Sequence, residues 1–186
     1  MKRKLFILAV LAICLASLAG GTLAFYTSEG RAHNVITTGK VEIEVKEYAD
    51  LECKNDFKNL TGIMPKSQIT KVAKVYNHGA PAWVRVKVTK AIELAREGEP
   101  NVELIQLDLN TAYWEDGGDG YYYYKDIVPT KSFSEPIFTT VTFDEEMDNL
   151  YKNATITVDV AVQAVQSANN GTAARNAQGW PAKSGE

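Results

Sequence analysis

Most of this chain after residue 40 alternates, residue by residue, between apolar and polar side chains. β-Branched or aromatic residues stand at every second position in four stretches, which are 41–45, 84–88, 137–143 and 156–162. Successive side chains of a β-strand point to opposite faces, so a period of two predicts strands with one buried face. Strands of this kind, with no regular helix between them, predict an all-β domain built as an antiparallel, jelly-roll-like β-sandwich.

Weaker patterns complete the expected set of elements. Further strands are predicted at 69–76, 102–109, 111–114 and 121–127. Alternate members of the tyrosine run 121–124 should face opposite sides, so that half of the run belongs to the core and half forms a ladder on the surface. Short helices are expected at 89–96 and 172–178.

The N-terminus has the three parts of a secretory signal peptide. Basic residues at 2–4 are followed by an uncharged apolar run from Leu5 to Ala19. Thr22-Leu23-Ala24 then places small residues where a signal peptidase reads them. The pattern predicts a helical signal peptide over residues 1–24.

Cleavage is expected between Ala24 and Phe25. The alternative is a membrane anchor, since a spanning helix needs about 20 apolar residues and the run from Leu5 to Tyr26 just reaches that length. The pair Gly20-Gly21 interrupts the run and no basic segment follows it, which favours cleavage. We therefore expect a secreted protein that meets the membrane only through its uncleaved signal peptide.

The composition of the mature chain sets limits on its partners. Cleavage after Ala24 leaves 162 residues, the size of one domain. They hold 17 basic residues against 23 acidic ones, a net charge of −6, which argues against nucleic acid as a partner. We divide them into a β-sandwich domain over 25–166 and a C-terminal tail over 167–186 that is flexible or forms a short helix. Cys53 is the single mature cysteine, so no intrachain disulfide can form.

No pattern in the sequence marks a catalytic, cofactor-binding or metal-binding site. The two histidines, His33 and His78, lie in polar or turn contexts. Neither the H-E-x-x-H pattern of zinc proteases nor the G-x-S-x-G turn of hydrolases occurs. Two acidic clusters, 115–119 and 144–148, lack the spacing of a calcium-binding loop and are predicted to be solvated hairpin tips. We therefore expect a protein that is not an enzyme and that uses no cofactor.

Four blocks of sequence, in order along the chain, resemble one family of exported proteins. They are Gly20-Gly21-Thr22-Leu23-Ala24-Phe25-Tyr26-Thr27 with Thr38-Gly39-Lys40-Val41 after it, the Asn77 turn with Trp83-Val84-Arg85-Val86, the run Gly120-Tyr121-Tyr122-Tyr123-Tyr124 with Pro129 and Ser134-Glu135-Pro136, and the last strand 159–166. These blocks are similar to those of the TasA/camelysin (CalY) family of Gram-positive bacteria, whose signal peptides are cut by a SipW-type signal peptidase. Thr130 follows Pro129 where the family has glycine, so that turn differs in sequence.

The resemblance implies a jelly-roll β-sandwich and a secreted structural protein of the extracellular biofilm matrix or the cell surface. The best-known members polymerise by adding the N-terminal strand of one subunit to the sheet of the next, a head-to-tail contact that builds fibres because it does not close. The equivalent donor strand here is Phe25 to Ile36. Its candidate contact residues are Phe25, Tyr26, His33, Val35 and Ile36. The expected partners are other copies of the chain, and a SipW-type peptidase during export.

Two alternative functions stay open at this point. Camelysin relatives are described as metallo-endopeptidases, an activity for which this chain has no metal motif. The second alternative is a monomeric surface binding domain, in which Phe25 to Ile36 is simply the first edge strand. A zinc peptidase requires His33 or His78 within about 5 Å of acidic side chains, because Zn–N and Zn–O bonds are near 2 Å. A polymer requires an open sheet edge beside the first mature segment.

Overall fold

The computed structural model describes residues 36–37, 41–58 and 65–181. The predicted signal peptide and its cleavage site lie outside these residues. Within them the chain forms ten β-strands and three 3-10 helices. The strands are β1 (Ile36–Thr37), β2 (Ile43–Tyr48), β3 (Gln68–Asn77), β4 (Ala82–Glu93), β5 (Ile105–Leu107), β6 (Trp114–Asp116), β7 (Tyr122–Tyr124), β8 (Ser132–Phe133), β9 (Phe138–Phe143) and β10 (Thr155–Gln166). The 3-10 helices are Val102–Leu104, Asn149–Tyr151 and Ala174–Asn176.

The strands form two sheets. The first has the order β1-β10-β4-β7-β6, and the second has the order β2-β3-β9-β5, with β8 also paired to β3. Every pair is antiparallel except β1 with β10. The longest ladder joins β4 to β10 without interruption, from Ala82 opposite Gln166 to Glu93 opposite Thr155. The predicted all-β class with antiparallel sheets is confirmed.

The core is built from the apolar positions of the alternating pattern. Both sheets contribute side chains to it, and fully buried examples are Ile43, Val75, Val84, Val86, Val141 and Phe143. Phe138 is also fully buried although it lies off the alternation of 137–143; the ladder of β9 with β3 shifts its register beside it. Removing these side chains from water is the main favourable term in folding. The inward faces of the strands thus follow from the period of two in the sequence.

The turn between β3 and β4 is fixed by a buried asparagine. The Asn77 side-chain amide donates to the carbonyls of Ala80 and Val128 at 2.8 and 2.9 Å. Its side-chain oxygen accepts the Gly79 N–H at 2.9 Å. Asn77 is fully buried, so these three bonds satisfy a polar group that would otherwise be costly inside the protein.

The helix expected at 89–96 is wrong, because β4 continues through this segment to Glu93. The side chains keep the period of two, with Ile92 buried and Ala91 exposed. β10 pairs with each residue of β4, for example Ile156 with Ile92, and this pairing outweighs the local helix-forming tendency. The helix expected at 172–178 is reduced to the 3-10 helix Ala174–Asn176.

The described part of the C-terminal tail, 167–181, packs on the outer face of the first sheet. A second buried cluster forms there from Trp83, Tyr121, Tyr123, Val165, Ala174 and Ala177, with Trp180 packed against it. Asn170 holds the segment in place. Its carbonyl accepts the Trp83 Nε1 proton at 2.7 Å, and its side-chain oxygen accepts the Gln178 N–H at 2.7 Å.

Candidate functional site

β10, the next-to-last strand of the first sheet, has an outer edge that is mostly unpaired in the described residues. β10 has 12 residues, and β4 pairs with all of them on one side. On the other side β1 pairs with Gln163 and Ala164. The stretch from Thr155 to Val162 therefore presents main-chain N–H and C=O groups without a strand partner in this part of the chain. An edge of this kind is a template for the addition of a strand.

β1 brings the N-terminal part of the chain to this edge. Ile36 lies opposite Gln163, and the next residue pairs with Ala164, in the parallel direction. Ile36 is the last residue of the predicted donor strand. The other candidate contacts lie outside the described residues; they are Phe25, Tyr26, His33 and Val35. The pairing at Ile36 defines a direction and a register for a strand that enters this edge.

The two faces of β10 differ in polarity. Val158, Val160 and Val162 are buried toward the core, whereas Asp159 and Ala161 are exposed on the outer face. A strand added beside β10 would have its side chains on the same two faces. The edge therefore suits a strand that alternates apolar and polar residues.

A lysine of the second sheet occupies the middle of this edge. The Lys71 Nζ donates a hydrogen bond to the Val158 carbonyl at 2.7 Å and forms an ion pair with the Glu47 carboxylate at 3.1 Å. It also lies 4.8 Å from the centre of the Phe57 ring. Only 7% of Lys71 is exposed, so its ammonium is largely removed from water. Among the described residues, the β10 edge thus lacks a strand partner over most of its length but is occupied at Val158.

Lys71 points inward because it continues the period of two in β3. Ala73 and Val75 belong to the main core, and Ile69 packs against it, so Lys71 lies on the same face as these residues. The register of β3 against β9 shifts between Thr70 and Ala73, but the side chains of β3 keep their alternation across the shift. Lys71 was not among the residues predicted from the sequence. The available signal was its place between Ile69 and Ala73 on the apolar face of the predicted strand.

His78, one of the two histidines considered from the sequence, lies beside one acidic side chain. Its Nε2 is 3.1 Å from the Glu44 carboxylate, and its ring meets Tyr76 edge-on at 4.5 Å between centres. The Lys46 Nζ binds the same carboxylate at 2.7 Å. Hydrogen bonds from Lys46 and then His78 lower the pKa of Glu44. Glu44 is therefore one acidic side chain that lies within the 5 Å of His78 required for a zinc peptidase.

Members of the two predicted acidic clusters bond groups of their own loops and turns. No three His, Cys, Asp or Glu side chains among these residues come together as a metal site. Asp119 accepts the Tyr121 N–H at 3.1 Å and the Tyr123 hydroxyl at 3.0 Å. Asp148 caps a 3-10 helix by accepting the Leu150 N–H at 2.8 Å. The cluster 144–148 lies in the connection after β9, and the cluster 115–119 spans the end of β6 and the turn to β7, where Asp commonly bonds nearby backbone groups.

A buried arginine, also not identified from the sequence, joins β10 to the C-terminal tail. The Arg85 Nε donates to the Gln163 side-chain oxygen at 2.8 Å. Its terminal nitrogens donate to the Tyr123 hydroxyl at 2.9 Å and to the Pro181 carbonyl at 3.2 Å. Gln163 is also the residue opposite Ile36. The position where β1 meets the edge is therefore held from the outer face of the sheet.

Aromatic rings enclose the Arg85 guanidinium. Its central carbon lies 4.0 Å from the centre of the Tyr121 ring and 4.7 Å from that of Trp180. Tyr121 and Tyr123 form the outer half of the tyrosine run, for which a surface ladder was predicted. Both are buried because the tail covers them, so this prediction holds for the direction of the side chains but not for their exposure.

Comparison with known proteins assigns the chain to no group: no family model, no curated protein and no solved structure matches it. In the described ranges, no helix is long and apolar enough to cross a membrane. The inference of a function therefore rests on this chain's own residues, above all on the β10 edge and its pairing with β1.

Proposed function

We propose that this protein is an exported structural protein of the extracellular biofilm matrix or the cell surface, and that it self-assembles head to tail. In the polymer, the mature N-terminal segment of one copy, Phe25 to Ile36, adds to the outer edge of β10 in the next copy. The pair between β1 and β10 supports this most strongly. It aligns the end of the segment with Gln163 and Ala164, beside an edge without a strand partner from Thr155 to Val162 in the described residues.

The length of the segment fits the length of the edge. If the parallel ladder at Ile36 continues in the same register, residues 28–35 lie opposite 155–162 of β10. Main-chain groups along the unpaired part of the edge then gain partners. Main-chain bonds of this kind supply affinity in strand addition, and alternate side chains supply specificity.

Exchange of this strand between copies reuses a contact that the fold already makes. The pair of β1 with β10 inside one chain is replaced by the same pair between two chains, which is the low-cost route of strand swapping. Because one copy donates and the next accepts, the contact repeats without closing and produces a fibre. We infer a jelly-roll connection of the two sheets, as in the TasA/camelysin family that the sequence resembles.

Export and assembly are linked in this proposal. Cleavage between Ala24 and Phe25 by a SipW-type signal peptidase releases the chain and creates the free N-terminus of the donor segment. No cofactor is needed, and the partner of the mature protein is another copy of itself.

The test compares the mature chain, residues 25–186, with a chain that lacks the donor segment, residues 37–186. Electron microscopy and sedimentation velocity are expected to show fibres of the first and monomers of the second. A synthetic peptide of residues 25–36 should slow assembly because it occupies the edge, and a peptide of scrambled order is its control. Mature chain that stays monomeric at high concentration, or fibres formed equally by both chains, would overturn the proposal.

A further inference from the structure

Lys71 bridges the two sheets at the corner where β10 and β2 are neighbours. Its contacts with the Val158 carbonyl and the Glu47 carboxylate use two of the three ammonium protons. The Phe57 ring lies beside the same group. Burial of an ammonium is costly unless such partners satisfy it. Lys71 therefore leaves the β10 edge only when another donor replaces it at the Val158 carbonyl.

The occupied carbonyl interrupts the row of groups that a donor strand needs. In a strand, alternate residues direct their main-chain groups to the same edge. Since the Val158 carbonyl meets Lys71 on the side away from β4, the groups of Ile156 and Val160 face that side too. A strand that pairs from the β1 end reaches Val160 first. It needs the Val158 carbonyl next, and the Lys71 Nζ lies 2.7 Å from that oxygen.

We propose that Lys71 guards the β10 edge, and that it must leave the Val158 carbonyl before a donor strand can pair beyond Val160. This proposal deepens the function proposed above and rests on it. Inward-pointing charges and lysines are devices by which natural sheets prevent unwanted edge pairing. Here the lysine lies within the unpaired stretch, not at its end. A short accidental strand therefore stops at Val160, whereas a full-length donor gains enough main-chain bonds to displace the ammonium.

The first test removes the guard from the mature chain. Lys71→Met combined with Glu47→Gln deletes the cation without leaving a buried carboxylate unpaired; glutamine keeps the shape of glutamate, and methionine keeps the unbranched lysine stem without its ammonium. Lys74→Met is the matched control: it removes a lysine from the same strand, where the ammonium lies over the Phe133 ring at 5.3 Å. We expect the double variant to assemble about tenfold faster than the control in light scattering, which is the worth of one charge-assisted hydrogen bond. Equal assembly rates of the double variant and Lys74→Met would overturn the proposal that Lys71 guards the β10 edge.

The second test repeats the comparison in the chain 37–186, which lacks the donor. Without the guard, β10 edges of two copies are free to pair, so the double variant is expected to associate in sedimentation while Lys74→Met stays monomeric. If the wild-type chains 25–186 and 37–186 assemble alike, the proposal of donor-strand assembly is wrong. The comparison of the double variant with Lys74→Met within each chain still tests whether Lys71 blocks pairing at the β10 edge. If the double variant associates in neither chain, the guard is wrong.

A third measurement shows whether the double variant is folded as stably as the control. Thermal unfolding should place the double variant within a few degrees of the control, because replacing a buried ion pair by neutral groups of similar size is often neutral. Should it unfold earlier, Lys71→Leu combined with Glu47→Gln serves instead, because leucine also carries no donor for the Val158 carbonyl. When either variant is made in the chain 37–186, the peptide 25–36 should bind it more tightly than it binds the same chain with Lys74→Met. The expected difference in affinity is about tenfold for the double variant. Unchanged peptide affinity in both would refute the role of Lys71.

Discussion

Replacement of Trp180 tests how the C-terminal tail is held on the first sheet. The Trp180 ring contacts the Arg85 guanidinium at 4.7 Å and meets the Tyr123 ring edge-on at 5.9 Å between centres. A desolvated cation–π contact is worth about 2 kcal/mol and an aromatic pair about 1 kcal/mol. One atom opposes them: the indole Nε1 is buried without a hydrogen-bond partner among the described residues, which costs about 1 kcal/mol. We expect Trp180→Ala to lower the free energy of unfolding by about 2 kcal/mol.

The assay is urea unfolding followed by far-UV circular dichroism, with thermal unfolding as a second measure. For a chain of this size, about 2 kcal/mol corresponds to a fall in Tm of about 4–8 °C. Trp180→Phe keeps a ring against Arg85 and removes the unpaired N–H, so it should lie within about 1 kcal/mol of the wild type. Tyr113→Ala is the control for an exposed aromatic side chain. The reasoning is refuted if Trp180→Ala matches the wild type, or if Trp180→Phe is as unstable as Trp180→Ala.

Two further predictions concern single polar side chains. Asn77→Ala should lower the free energy of unfolding in urea by about 3 kcal/mol, since three hydrogen bonds of about 1 kcal/mol each are lost at a buried turn; a loss below about 1 kcal/mol would contradict this. Burial raises the pKa of Asp108, but hydrogen bonds from Thr139 and Thr140 lower it more, so the pKa lies below its usual 3.8. This carboxylate therefore stabilises the fold above about pH 4 and loses that contribution as the pH falls through the lowered pKa. Asp108→Asn should reduce the loss of Tm on acidification, and an unchanged profile would count against it.

The part of the fold that could be predicted is the part that depends on local alternation. The strands β4, β9 and β10 follow from residues spaced two apart, and their inward positions, such as Val84, Val141 and Val160, are buried as the pattern requires. The end of β4 was misjudged because the segment 89–96 has helix-forming residues. Its pairing with β10 decides its structure, and that partner lies more than sixty residues away in the sequence.

The two buried cations show why the candidate site could not be predicted in full. Lys71 and the carbonyl that it binds are 87 residues apart, and Arg85 and the Pro181 carbonyl are 96 residues apart. Lys71 replaces an apolar residue on the inner face of β3, and its partners come from distant strands. Arg85 lies on the outer face of β4 and is buried because the folded tail covers it. Both act on the same strand at different points. Arg85 holds Gln163, where β1 pairs, while Lys71 occupies the edge at Val158. In the proposed assembly, a donor strand would therefore meet the position held by Arg85 first and the Lys71 contact at Val158 second.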